Sequence, residues 1–209
     1  MSQHHRSLSL AIAVVLPVTL LAGASERPAA PSSALELGAQ CLPEEGTAAP
    51  ARDPAEPLLA KYLSRRFLIA TASAERMVGA AFRAAREVGL DPLVLLAVIS
   101  VESRFNPIAQ SVMGAKGLMQ IIPKYHPAKL AAMGGDAAVW DPEANIAIGA
   151  RILQEYVYRT GSLEAGLQFY NGAFTDGSAQ YAQKVLAERS RLIDVLYGRE
   201  SGAAVATRG

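Results

Sequence analysis

The sequence predicts a mainly α-helical fold in one domain, and three observations carry the prediction. Apolar residues recur at helical spacing through residues 58–197, Asp-Pro pairs and glycines stand where such runs start and stop, and no run alternates with period two for long enough to make a strand. At 209 residues the chain suits one cored domain with appended segments rather than two domains.

The first element is not part of that domain. A weakly basic start, Ser2-Gln3-His4-His5-Arg6, precedes an apolar run over residues 8–22, and Ala22-Gly23-Ala24 makes a small-x-small site before Ser25. This predicts a secretory signal over residues 1–24, with an uncleaved membrane tether as the alternative. Cys41 stands too far downstream to receive a lipoprotein lipid and is expected to be a free thiol. Residues 25–57 hold six of the twelve prolines among Ala, Ser and Glu, a composition that buries too little apolar surface to offset ordering, and so read as an extended linker. Residues 201–209 read as a tail, leaving 58–200 as the folded domain.

Within the domain, helices are expected over 58–70 and 73–88, the second with Met77, Ala81, Ala84 and Val88 on one face and Gly89 as its cap. Asp91-Pro92 supplies an N-cap and a proline at the first turn for a helix over 92–103. Its run Leu93-Val94-Leu95-Leu96-Ala97-Val98-Ile99 is apolar all round, which predicts a buried central helix. Asp141-Pro142 repeats the opening, and Ile146, Gly149, Ala150, Leu153, Tyr156 and Val157 trace a stripe that Gly161 ends. Ser162 caps a helix reaching Tyr170, and a last helix is expected over 178–197.

Twenty basic residues against nineteen acidic give a net charge of +1, which offers no field for nucleic acid. One cysteine excludes an internal disulfide and a thiolate metal cluster. With His4 and His5 in the expected signal, His126 stands alone, which argues against a histidine metal site or a Ser/His/Asp triad. No metal and no cofactor are expected, and the protein is expected to be a monomer.

The chemistry is expected in residues 99–122. Glu102 ends the apolar helix, with Val98 and Ile99 on the preceding turn and Phe105 just beyond. Apolar surroundings and the negative end of the helix dipole both disfavour a charged carboxylate, which is what a general acid near neutral pH needs. Taken alone, Glu102 beside Ser103 and Arg104 also fits a solvated helix end. Gly114 and Gly117 would let backbone approach a ligand, and Gln120 adds an amide. Phe169-Tyr170-Asn171-Gly172-Ala173 offers aromatic faces and amides of the kind sugars use, or an ordinary turn between helices.

Four blocks in order make the chain resemble the catalytic domain of the bacterial soluble lytic transglycosylases, whose fold is similar to that of goose-type lysozyme. They are Glu102-Ser103 with Phe105-Asn106-Pro107; Ser111, Gly114-Ala115 and Gly117-Leu118-Met119-Gln120-Ile121; Asp141-Pro142 with Asn145-Ile146 and Gly149; and Tyr170-Asn171-Gly172 with Tyr181. The similarity covers residues 72–196. It implies a single lysozyme-like helical domain around the buried helix, acting on peptidoglycan glycan strands in the periplasm. Glu102 would be the sole catalytic carboxylate, protonating the β-1,4 bond between N-acetylmuramic acid and N-acetylglucosamine and then drawing the proton from the muramoyl C6 hydroxyl to give a 1,6-anhydro end. That scheme dispenses with the second carboxylate of an ordinary glycosidase; Glu87, Asp91, Asp136 and Asp141 are accordingly expected not to be catalytic. By the same resemblance Ser103 would steady the acid or an acetamido group, Ser111, Gly117, Met119, Gln120, Tyr170 and Asn171 would line the groove, and Tyr181 would bond near Glu102. Core filling is the alternative for Met119. A hydrolytic muramidase and a non-catalytic glycan-binding or assembly module are the alternatives for the whole. Domains of this kind also serve secretion or pilus machinery, and nothing in the sequence selects that partner.

Two departures from the family pattern stand out. Ala173 replaces a glycine, and Ile122-Pro123-Lys124-Tyr125-His126-Pro127 follows the Gly-Leu-Met-Gln-Ile block in place of the usual methionine, proline and threonine.

Overall fold

Caps written in the sequence set most helix boundaries. The computed structural model describes residues 52–173 and 177–198; the expected signal, the linker up to residue 51 and the tail at 201–209 lie outside the described residues. The chain forms α1 (Ala55–Phe67), α2 (Thr71–Val88), α3 (Pro92–Glu102), a short α4 (Pro127–Ala131), α5 (Pro142–Thr160), α6 (Leu163–Tyr170) and α7 (Gln180–Leu196). Single 3-10 turns lie at Pro123–Tyr125 and Asp136–Trp140. Among the described residues there is no strand, only isolated antiparallel bridges pairing Lys116 with Gln110 and with Ile121. The mainly α expectation holds.

Asp91 caps α3 by accepting from the Leu93 N–H at 2.8 Å, Asp141 caps α5 from Ala144 at 2.8 Å, and Ser162 caps α6 from Ala165 at 3.2 Å. Gly89 and Gly161 end α2 and α5 in the left-handed conformation. The first helix starts three residues earlier than expected. Asp53 Oδ1 accepts from the Ala55 N–H at 2.8 Å while Glu56 accepts from the Asp53 N–H at 3.2 Å, a reciprocal cap on a third Asp-Pro opening, Asp53-Pro54. The surrounding prolines made that opening look like linker. The same helix stops at Leu68, itself left-handed at φ 56°, where no glycine announces an end.

α3 is the axis of the packing, with every side chain from Leu93 to Ser100 buried. It lies against α2 and α7, while α5 packs on α2 and α6. α1 is tied to α7 by a two-pronged Arg66–Glu188 pair, whose second contact, Nη2 to Oε2, is 2.9 Å; Glu188 is 5% exposed and also meets Arg191. A paired and hydrogen-bonded carboxylate is the form in which such a charge tolerates burial. At the far end of α3, Asp91 also receives Arg189 Nε at 2.6 Å, so one residue both caps the central helix and anchors α7 to it. Among the described residues no helix is long and apolar enough to cross a membrane.

Candidate active site

The buried helix delivers Glu102 to the surface at its last residue, and the chain turns there at a conformational cost. Arg104 and Phe105 both take positive φ, 54° and 63°. For a bulky residue this is strained by about 1–3 kcal/mol. Phe105 withstands it because its ring is wholly buried and rests 5.2 Å from the Phe67 ring of α1. The turn therefore fixes where Glu102 stands.

Two influences act on the Glu102 carboxyl. Burial raises its pKa above the ordinary carboxylate range, and a hydrogen bond from the Tyr181 hydroxyl to Oε1, 2.5 Å long, partly lowers it again. Tyr181 itself is 7% exposed, and burial together with the charge of Glu102 pushes its phenol well above its usual value. Tyr170 is raised likewise, first by burial and then by Glu102. The phenols therefore stay protonated, and the carboxyl accepts from one neutral hydroxyl, that of Tyr181, while the Tyr170 hydroxyl is given to the Met119 carbonyl.

Opposite the acid, the loop 106–121 is knitted by its own polar groups. Ser111 Oγ accepts from the Ala115 N–H at 3.0 Å, Gly117 donates to Ala109 at 2.8 Å, and Lys116 and Ile121 exchange backbone bonds of 2.9 and 3.0 Å. Gln120 donates through Nε2 to the carbonyls of Ala109 and Gly117, at 3.1 and 2.9 Å. Beneath the loop lies Asn145, fully buried on α5. Its Oδ1 accepts from the Met119 N–H at 2.8 Å, and its Nδ2 donates to Lys116 and Val139 at 3.1 and 2.8 Å. The Met119 carbonyl in turn receives the Tyr170 hydroxyl at 2.8 Å. One amide thus joins α5, the loop and the phenol that senses Glu102.

Several expected site residues have other roles here. At Gly117 a side chain would place Cβ 2.2 Å from Asn145 Nδ2 at φ +74°, so the glycine admits the buried amide. Met119 is 0% exposed, its sulfur filling the space that a Cβ on Gly149 would occupy at 2.4 Å, so the core reading is the one the structure bears out and only its backbone faces the site. Ser103 is buried, and its hydroxyl donates back to Ile99 at 3.2 Å rather than to Glu102. Ser111 is half-buried at the loop tip, while Gln120, Tyr170 and Asn171 do share one recess. Gly172 takes φ 73°, and Ala173 is absent from the left-handed residues, which is why an alanine is accommodated where the family has glycine.

That recess holds about 420 Å³ and contains two rings, Tyr125 and Tyr156, that the sequence did not single out for the site. Tyr125, His126, Tyr156 and Phe169 line it with Ile152, and Tyr156 stacks 4.6 Å from Phe169 and 6.3 Å from Tyr170. Helical periodicity placed Tyr156 on an inward stripe but could not tell core from pocket wall. His126, depressed by burial and then by Lys129, is neutral at physiological pH. Glu102 does not line the recess, but its charge acts on Tyr170, which does. Among the described residues no aspartate or glutamate lines the recess. Asp91 is spent on its cap and on Arg189, about 16 Å away along the eleven residues of α3. Asp141 caps α5, and Glu87 faces Arg151 at 3.8 Å. Among the described residues no three His, Cys, Asp or Glu side chains gather as metal ligands would.

Comparison with known proteins places this geometry in context. Residues 79–191 match the family described as "Transglycosylase SLT domain". A "Transglycosylase" of Enterobacteria phage PRD1 is 32% identical over 127 residues, covering 58% of this chain and 44% of the phage protein. The "Soluble lytic murein transglycosylase" of Escherichia coli is 42% identical over 69 residues, 31% of this chain and 10% of that protein. A "Membrane-bound lytic murein transglycosylase C" of Haemophilus influenzae is 35% identical over 77 residues, 34% and 22% respectively. The chain therefore spans less than half the length of these relatives.

Proposed function

Because the chain belongs to the transglycosylase SLT domain family, we propose that it is a lytic transglycosylase of peptidoglycan. It cleaves the β-1,4 bond between N-acetylmuramic acid and N-acetylglucosamine, and leaves a 1,6-anhydromuramoyl end. The observation that carries this is a half-buried carboxyl, raised by burial and bonded by Tyr181, beside a ring-lined recess in which no second acid stands among the described residues.

Glu102 enters the reaction protonated and gives its proton to the glycosidic oxygen as that bond to C1 breaks. The carboxylate left behind takes the proton of the muramoyl C6 hydroxyl while O6 bonds to C1. No water is consumed, and the acid is regenerated in one turnover. Charge on Glu102 is transient, and the Tyr181 hydrogen bond stabilises it at the stage when it exists. Tyr156, Phe169 and Tyr170 offer faces on which pyranose rings stack, and Gln120 and Asn171 offer amides for their hydroxyl and acetamido groups. With Gln120 Nε2 engaged by the loop, its Oε1 is the atom that accepts from substrate. The N-terminal signal would take the domain to the periplasm, where this substrate lies.

The test is mass spectrometry of purified sacculi digested by the wild type and by Glu102→Gln. Anhydro ends from the wild type and none from the variant are expected. Reducing ends without anhydro ends would replace the intramolecular step by hydrolysis.

A further inference from the structure

We propose that a second recess, adjoining the first, binds the carboxylates of the peptide stems carried by peptidoglycan, through Lys116 and Lys124. It rests on the reading of the neighbouring groove as a glycan site. The recess encloses about 520 Å³ and is lined by Met113, Lys116, Ile122, Lys124 and Asp136 among others; Ile122 also lines the ring-bearing recess, so the two share a wall.

The charges here are arranged differently from those beside the first recess. Lys129 and Arg159, near the first recess, each form an ion pair with the shared carboxylate of Glu155. Lys116 and Lys124 meet no carboxylate within ion-pair distance among the described residues; their ammonium groups instead lie over aromatic rings, 5.5 Å from the centroid of Trp140 and 4.7 Å from that of Tyr125. A ring face positions a cation without cancelling its charge. Asp136 is the one acidic residue of the recess among the described residues, so two cations stand there with one anion. Pro123 and Pro127 bracket the Lys124 segment, and the exposed side chain of Met113 adds apolar surface.

The chemistry of the substrate decides what such a recess would take. A glycan of alternating N-acetylated sugars is uncharged wherever the muramoyl lactyl group is amide-linked to a stem. Its fixed negative charge lies in the stem carboxylates. A glycan in the ring-lined groove would hold its stems beside the groove, where the two ammonium groups stand. Lys124 belongs to the segment in which this chain departs from the family pattern, so the recess is a property of this chain's own residues.

Co-sedimentation with purified sacculi tests this in a form that does not depend on turnover. Glu102→Gln protein is titrated onto native sacculi and onto sacculi whose carboxylates have been amidated with carbodiimide and ammonia. The same is done with Lys116→Met and Lys124→Met added to Glu102→Gln. The expected result is roughly three- to tenfold tighter binding of Glu102→Gln to native than to amidated walls, the scale of two exposed ion pairs. The double methionine change should abolish that preference and leave affinity for amidated walls unaltered, which also shows the variant is folded. Equal affinity of Glu102→Gln for both walls, or an undiminished preference in the lysine variant, would overturn the proposal. The wild type is assayed for anhydro ends in parallel. Product without an amidation effect sinks the stem recess alone; an amidation effect without product sinks the lytic assignment and leaves the recess standing.

Discussion

Glu102→Gln should make the protein more stable while removing its activity. Burying an ion costs several kcal/mol in a real protein, and the Tyr181 bond returns about 1.5–3 kcal/mol of it. Burial is the larger influence on Glu102, so the carboxylate form is net disfavoured in the folded state. The balance is about 1–2 kcal/mol against the wild type once the group ionises. In the unfolded chain the carboxyl titrates near 4.5, and in the folded protein it titrates higher. Between those values the folded state binds the extra proton, so wild-type stability falls as pH rises from about 4.5 until the folded pKa is passed. Glutamine keeps the shape and can still accept from Tyr181, but has no charge to bury. The variant should match the wild type below pH 4.5 and exceed it at pH 8 by about 2–6 °C in Tm. Sacculus cleavage should fall by about 10²–10⁴-fold, the usual contribution of a positioned acid. The assay is a paired thermal melt across pH with turbidimetric clearing of sacculi. A variant less stable than wild type at pH 8, or a difference independent of pH, would refute the account of Glu102 as a charge held against its surroundings.

Tyr181→Phe removes the bond that favours the Glu102 carboxylate, so the alkaline limb of the kcat/KM profile should move to higher pH, read from initial rates across pH. Asn145→Ala strands the Met119 N–H and the Val139 carbonyl in the interior, while the Lys116 carbonyl keeps the Ile121 N–H, and should cost about 3–5 kcal/mol in urea unfolding. Gly117→Ala sets a methyl against that same amide at a positive φ and should destabilise by about 2–4 kcal/mol without touching the acid. Because both act on Asn145, the Gly117 and Asn145 effects should fall well short of additive in the double variant, measured by the same unfolding.

Local chemistry made the helices legible in the sequence. Asp91-Pro92 and Asp141-Pro142 cap the helices they were expected to cap, and eight successive buried positions from Leu93 to Ser100 follow from a run with no polar face. A carboxylate at the end of such a run sits at the edge of the core, which made Glu102 a candidate, and the ordered blocks around it made it the expected acid. Asp53-Pro54 carried the same cap signal and was hidden only by the prolines around it.

Tertiary packing decided what single residues do, because that depends on neighbours far away in the chain. Gly117 is a glycine on account of Asn145, which lies 28 residues later, and Met119 is core on account of Gly149. The strained Phe105 holds its conformation through Phe67, and Tyr181 reaches Glu102 across 79 positions of sequence. Composition and periodicity could name an aromatic, a glycine or an amide, and a resemblance could say that it belongs near the site. Whether each one faces the core, the loop or the recess followed only from how α5, α6 and α7 close around the end of α3.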